Sequence, residues 1–122
     1  MIRTNFSSGY PLEDTYGYSR AVRVGNQIFV AGTTARDHHL EGDAYNQMIA
    51  TIAAALGEAG AELRHVVRTV VYVLDLADVH LIARAHEETF GRSRPASTLV
   101  QVAALTPASA RVEIEVTAVI HD

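Results

Sequence analysis

Two carboxylates stand two residues apart in the run Val112-Glu113-Ile114-Glu115-Val116-Thr117-Ala118. Apolar and polar residues alternate there with the period of a β-strand, whose successive side chains project to opposite faces. Val112, Ile114, Val116 and Ala118 therefore share one face, and Glu113, Glu115 and Thr117 share the other. At a rise of about 3.3 Å per residue the two carboxylates are roughly 6.5–7 Å apart. An acidic pair so placed is either solvated or part of a site. In a site, one carboxyl with a raised pKa would orient or deprotonate a water.

The other residues able to do chemistry are dispersed. His86 falls on the apolar stripe of a helical pattern, where a lone histidine is most often a packed residue; paired with Glu113 it would form an acid/base couple. Arg20 belongs to a strand and Arg84 lies one step off the helical stripe, so solvent or an ion pair is the ordinary fate of each. Thr33 and Thr98 offer hydroxyls to a ligand, although strand ends also carry threonine for packing. Tyr10, Tyr16 and Tyr18 are crowded into a polar stretch and either line a pocket or pin a loop. His38-His39, with Asp37 and Glu41, are adjacent in a loop and not at ligand spacing, so a solvated loop is expected and no metal. The glycines form no phosphate cradle.

The bulk properties narrow the classes. With 122 residues, 48% hydrophobic and 20% charged, the chain fits one folded domain spanning 1–122. A net charge of −4 without a basic block argues against a nucleic-acid partner. The lack of cysteine excludes disulfides, a thiol nucleophile and cysteine-ligated zinc. No run reaches the ~18 apolar residues of a membrane span, and the first residues lack the apolar core of a signal peptide, so the cytoplasm is the expected compartment.

The elements that must position these residues follow from pattern. A short edge strand is expected near Thr4–Phe6, then a loop through Pro11. Ala21, Val22 and Val24 precede Gly25-Asn26, and Ile28, Phe29 and Val30 follow, a hairpin around a two-residue turn. Asp43 caps a helix over about 43–59 that Gly60 terminates, with Ala44, Met48, Ile49, Ile52, Ala55, Leu56 and Ala59 as its buried stripe. Val66–Leu74 reads as a strand buried on both faces. Asp78 caps a second helix to about Phe90, with Val79, Ile82, Ala83, His86 and Phe90 on one face. Arg94–Ala118 holds two further strands around a turn. Two helices cannot cover both sides of such a sheet, so they share one face of an α+β domain. The bare face, expected to carry Ser97, Leu99, Gln101 and Ala103 beside Glu113 and Glu115, would be covered by copies of the chain.

The order and spacing of several motifs carry a further signal. They are Tyr18-Ser19-Arg20-Ala21-Val22-Arg23-Val24-Gly25-Asn26 and Val30-Ala31-Gly32; Ala59-Gly60-Ala61 with Val66-Val67-Arg68-Thr69 and Tyr72-Val73-Leu74-Asp75-Leu76; then Phe90-Gly91, Arg94-Pro95-Ala96 and Val112-Glu113-Ile114-Glu115. Together they resemble the RidA/YjgF family of reactive-intermediate deaminases over nearly the whole chain. The resemblance implies a chorismate-mutase-like α+β fold, a mixed six-stranded sheet with two helices on one face, and a homotrimer with three clefts between neighbouring subunits. It also implies hydrolysis of imines or enamines derived from amino acids, a small reactive metabolite as the partner, and no metal or organic cofactor. Tyr18 matches a tyrosine that lines the cleft, Glu113 the carboxylate that positions water, and Glu115 a second, structural acid. The residue after Pro-Ala is an arginine in deaminating members, where it grips the substrate carboxylate; here it is Ser97. The family's cysteine two residues on is Leu99, its serine after the hairpin is Ala31, and its asparagine in the second helix is Ala83. The chain thus resembles a divergent branch lacking the arginine. Altered specificity is expected, toward a neutral substrate or one held by another arginine such as Arg20 or Arg84. A non-catalytic small-ligand-binding or protein-protecting module is the alternative, and the endoribonuclease and translation-inhibitor activities described for relatives fit the charge least.

Overall fold

Strand β6 (Val112–Val119) is central to a six-stranded sheet that also holds β1 (Arg3–Phe6), β2 (Ala21–Val24), β3 (Gln27–Thr33), β4 (Val66–Val73) and β5 (Ala96–Gln101). The computed structural model describes all 122 residues. The strand order is β1-β2-β3-β6-β4-β5. Every pairing is antiparallel except that of β4 with β5, which are joined through a helix. The alternation in β6 is kept: Val112, Ile114, Val116 and Ala118 are buried, whereas Glu115 is exposed.

Two long helices, α2 (Ala44–Ala59) and α3 (Val79–Phe90), pack on that buried face and against each other. The core joins Met48, Ile52 and Ala55 of α2, and Ile82, Ala85 and Phe90 of α3, to the inward residues of β3, β4 and β6. The mixed sheet with both helices on one side is the expected architecture. No helix is long and apolar enough to cross a membrane.

The cap of α2 forms as expected: the Asp43 carboxylate accepts from Asn46 N at 2.9 Å, and Gly60 takes the left-handed conformation at φ 61°. The buried stripe differs from the expected one. Ile49 is exposed, while Gln47 and Thr51 are buried. Asp78 does not cap α3; its carboxylate lies 3.2 Å from the guanidinium of Arg111, and Asp75 instead accepts from Ala77 N. The expected loop after β1 contains a short helix, α1 (Pro11–Tyr16). Local contacts make it: Pro11 supplies a preset φ, buried Glu13 accepts from Ser8, and Gly17 stops the turn at φ 83°. β4 is buried on one face only, since Arg68 is exposed and Tyr72 half-buried opposite Thr69, Val71 and Val73.

The phase of β5 also corrects the sequence reading. Thr69, Val71 and Val73 pair with Ser97, Leu99 and Gln101. These three β5 residues therefore belong to the helix-covered face and not to the face of Glu113. Hydrophobic alternation cannot reveal this, because all six residues of β5 are exposed at the sheet edge and no buried set marks its inner side.

Buried Gln47 ties the long β5–β6 connection to α2. Its amide nitrogen donates to Leu40 O at 3.0 Å and Ser109 O at 3.2 Å, and its carbonyl oxygen accepts from Arg111 N at 2.8 Å. Replacing it with leucine of similar bulk removes the side-chain partner of all these backbone groups at once. Gln47→Leu is expected to lower stability by about 2–3 kcal/mol in chemical denaturation, whereas Ile49→Ala on the same helix is expected to cost under ~1 kcal/mol.

Candidate functional site

Two clefts hold residues singled out in the sequence, one associated with each side of the sheet. The first is built around Glu113, on the uncovered face. β3 shifts register against β6 between Val30 and Thr33, and this bulge brings the backbone of Gly32 against the Glu113 side chain. A Cβ at Gly32 would lie 2.8 Å from both Cδ and Oε1 of that carboxyl, so only glycine leaves its seat open. Arg20 reinforces the bulge. It is 5% exposed, and its Nη2 donates to Gly32 O at 2.7 Å and to Thr33 Oγ1 at 3.4 Å. Its Nε is buried without a hydrogen-bond partner, and its guanidinium carbon stands 5.7 Å from the centre of the Tyr18 ring. Tyr18, Arg20, Gly32, Thr34, Arg36 and Glu113 line a cleft of about 560 Å³ together with the turn around Leu105 and Pro107. That is the size of a small-molecule site.

Burial pushes the Glu113 carboxyl above its ordinary value of 4.5; the Arg20 guanidinium partly offsets the shift, and the Glu115 charge adds to it. Glu115 is otherwise engaged, accepting from the Tyr72 hydroxyl at 2.8 Å. The two carboxylates thus differ in environment: one is poised toward protonation, the other is held in a surface hydrogen bond.

The second cleft lies on the helix-covered side, where the edge strand β5 extends beyond the cover of α3. His86, Glu87, Phe90, Arg94, Ser97 and Leu99 are among its walls, and its volume is about 440 Å³. The His86 ring packs on Phe90 with centroids 4.8 Å apart, and its Nε2 is 2.9 Å from Thr69 Oγ1. Thr69 Oγ1 is in turn 2.7 Å from Ser97 Oγ. Burial holds the His86 imidazole below its ordinary pKa.

The residues singled out in the sequence therefore separate. Glu113, Tyr18 and Arg20 share one cleft, whereas Ser97 and His86 share the other. His86 and Glu113 lie on opposite faces of one sheet and form no acid/base couple within a chain. Thr33 is fully buried with its hydroxyl donating to Ala31 O at 2.9 Å, and Thr34, its neighbour, lines the Glu113 cleft instead. Thr98 pairs with Val70 on the uncovered face, away from Ser97. Arg84 stacks 4.1 Å over Tyr45 and faces Glu88 at 3.7 Å, outside both clefts. His38 and His39 sit in a 3-10 turn over Asp37–Glu41, and no three His, Cys, Asp or Glu side chains converge anywhere to hold a metal.

Arg36, Arg94, Thr34 and Thr69 were missed. All ten basic residues are arginines. The ion pairs are Arg64–Glu62, Arg84–Glu88 and Arg111–Asp78, so Arg36 and Arg94 stand in their clefts without an acidic partner. A basic residue at a cleft rim leaves no trace in hydrophobic period. Thr69 carried a signal, a threonine in an otherwise mostly valine run.

Comparison with known proteins agrees with the fold. The chain belongs to the RidA/YjgF family: the family model described as Endoribonuclease L-PSP matches residues 11–120. A RutC family protein of Pyrococcus abyssi is 41% identical over 105 residues, which cover 80% of this chain and 82% of that protein. The 2-iminobutanoate/2-iminopropanoate deaminase of Mus musculus is 33% identical over 109 residues, 84% of this chain and 80% of the mouse protein. A crystal structure of a Mycobacterium tuberculosis member of the YjgF/YER057c/UK114 family superposes with a TM-score of 0.85 at 40% identity, covering 98% of this chain and all of that one.

The raised carboxyl makes a signed prediction. A group that binds its proton more tightly when folded supports the fold below its unfolded pKa and loses that support as pH rises through the folded one. Glu113→Gln is therefore expected to gain stability relative to the parent as pH is raised from about 4.5 toward neutrality, read from paired denaturation curves. An unchanging difference across that range would place the carboxyl in an ordinary environment.

Proposed function

We propose that the chain is a cofactor-free hydrolase of the imine/enamine deaminase type, acting on a small reactive metabolite in clefts between subunits of a homotrimer. The observation that carries this reading is the seat of Glu113: a half-buried carboxyl with a raised pKa, in a cleft, held by a glycine bulge and a buried arginine. In an imine substrate, Glu113 takes a proton from water as the oxygen adds to the C=N carbon. That proton passes to nitrogen and gives a carbinolamine; its hydroxyl proton then moves to the same nitrogen, the C–N bond breaks, and ammonia leaves as the carbonyl forms. In an enamine, the same carboxyl in its acid form protonates the carbon and yields the imine. Relatives that bear the name 2-iminobutanoate/2-iminopropanoate deaminase support the class.

The uncovered face supports assembly. It presents Phe29 and Val100 at 43% and 41% exposure, with Val22, Val70 and Tyr72 half-buried around them. An apolar strip of this kind on a sheet is covered by another copy in a cyclic oligomer. Glu113 and Ser97 stand on opposite faces of one sheet, so a shared cleft takes Glu113 from one subunit and Ser97 from the next. A serine at position 97, where deaminating relatives carry an arginine, weakens capture of a carboxylate by roughly a hundredfold, since a bidentate charge-assisted contact contributes about 1.5–3 kcal/mol. That change motivates the second reading, a binding module without turnover. The charge of −4 supplies no phosphate-tracking surface for an endoribonuclease.

Ammonia release from a panel of freshly generated imines tests the chemistry. Glu113→Gln is expected to reduce the rate at least 100-fold; ligand binding with no release by the parent protein would favour the binding module. Mixing tests the assembly. Glu113→Gln and a second inactive variant, Ser97→Phe, each denatured, combined and refolded, are expected to regain about a quarter of the parent activity by random association. No recovery would put both residues in one subunit's site.

A further inference from the structure

The helix-side cleft contains a polar chain of three side chains, Ser97, Thr69 and His86. Thr69 is fully buried on the apolar face of the sheet, opposite Val116 of β6 and two residues from Val71. Its hydroxyl has one proton and two neighbours, Ser97 Oγ at 2.7 Å and His86 Nε2 at 2.9 Å. A proton chain that runs through it has Thr69 accept from one and donate to the other, in one of two orders. With the proton on His86 Nε2, the imidazole donates to Thr69, Thr69 donates to Ser97, and the Ser97 hydroxyl proton is free to point into the cleft. With Nε2 bare, Ser97 donates to Thr69, Thr69 donates to His86, and the Ser97 oxygen faces the cleft as an acceptor. The outward end of Ser97 is exposed at the cleft wall. A polar chain laid through an apolar face costs desolvation and is worth keeping only if its open end meets something.

That open end offers one neutral donor or one neutral acceptor. A carboxylate asks for more, namely several donors and a compensating charge. No cation is hydrogen-bonded to Ser97 itself, and the cleft walls carry exposed Glu87 as well as exposed Arg94. We propose that Ser97, with Thr69 and His86 as its positioning residues, is the specificity determinant of this cleft, and that it receives the uncharged carbonyl end of a substrate, an amide or ester, in place of a free carboxylate. The proposal deepens the hydrolytic reading above and rests on it, since it names the substrate class for the same site. The tautomer of His86 sets whether Ser97 meets the carbonyl oxygen as a donor or the amide N–H as an acceptor, so one hydroxyl serves either edge of an amide.

Binding of a matched, unreactive ketone pair, 2-oxobutanamide and 2-oxobutanoate, to the full chain tests this by calorimetry without needing turnover. The amide is expected to bind at least tenfold more tightly. Thr69→Val, which keeps the shape and removes the hydroxyl, is expected to erase most of that preference, and Thr69→Ser to restore it; a merely structural threonine would not separate the two. Ser97→Arg is expected to invert the preference toward the carboxylate. Tighter binding of the carboxylate by the parent overturns the proposal, as does an amide preference untouched by Thr69→Val, or the absence of measurable binding of either ligand at millimolar concentration. Carboxylate binding that disappears in Arg94→Gln would overturn it too, assigning the missing guanidinium to that residue. Should the amide preference hold while no imine of either kind releases ammonia, the cleft assignment stands and the hydrolytic reading falls.

Discussion

A pleated strand sends consecutive side chains to opposite faces, and in β6 that constraint separates stability from chemistry at one-residue intervals. Val112 and Ile114 are buried in the core under the helices, and Glu113 between them is turned out. The same alternation in β5, locked to β4 by the parallel pairing of Thr69 with Ser97, turns Ser97 to the helix side. One sheet thus presents a carboxyl on one face and a hydroxyl on the other. No rotamer change can bring them together, because the sheet lies between them.

The carboxyl is held at its place by backbone more than by side chains. The bulge in β3, the missing Cβ of Gly32 and the guanidinium of Arg20 on the Gly32 carbonyl converge on the same few ångströms. Arg20 has a double effect there: it fixes the bulge through a hydrogen bond and lowers a carboxyl pKa that burial raises. A cation held this firmly is a poor candidate for gripping a mobile substrate, and Arg84, stacked on Tyr45, is spoken for as well. Both cations that the sequence suggested are thus already engaged within the chain.

What could be read from the sequence was set by period and punctuation. The hairpin at Gly25, the Asp43 cap, the Gly60 stop and the alternation of β6 are local signals with a mechanism, and each formed where expected. The short helix after β1 escaped because six residues are too few for a hydrophobic period, and it is held by Pro11, Glu13 and Gly17 instead. Gln47 escaped because its partners, Leu40, Ser109 and Arg111, are brought together by the fold alone. The phase of β5 was read wrongly because an edge strand with both sides exposed has no buried set to declare its inner face. The grouping of Glu113 with Tyr18 is implied by resemblance, but the chain from Ser97 to His86 runs across three elements and depends on the register of β4 on β5.

The all-arginine complement of cations has a chemical corollary. A chain without lysine and without cysteine has no side-chain amine to condense with a carbonyl and no thiol to add to one. An aldehyde or ketone resting against Ser97 or Glu113 meets hydroxyls, an imidazole, carboxylates and guanidiniums whose protonation persists at any physiological pH. The walls of both clefts are in this sense free of the amine and thiol nucleophiles that trap carbonyl compounds.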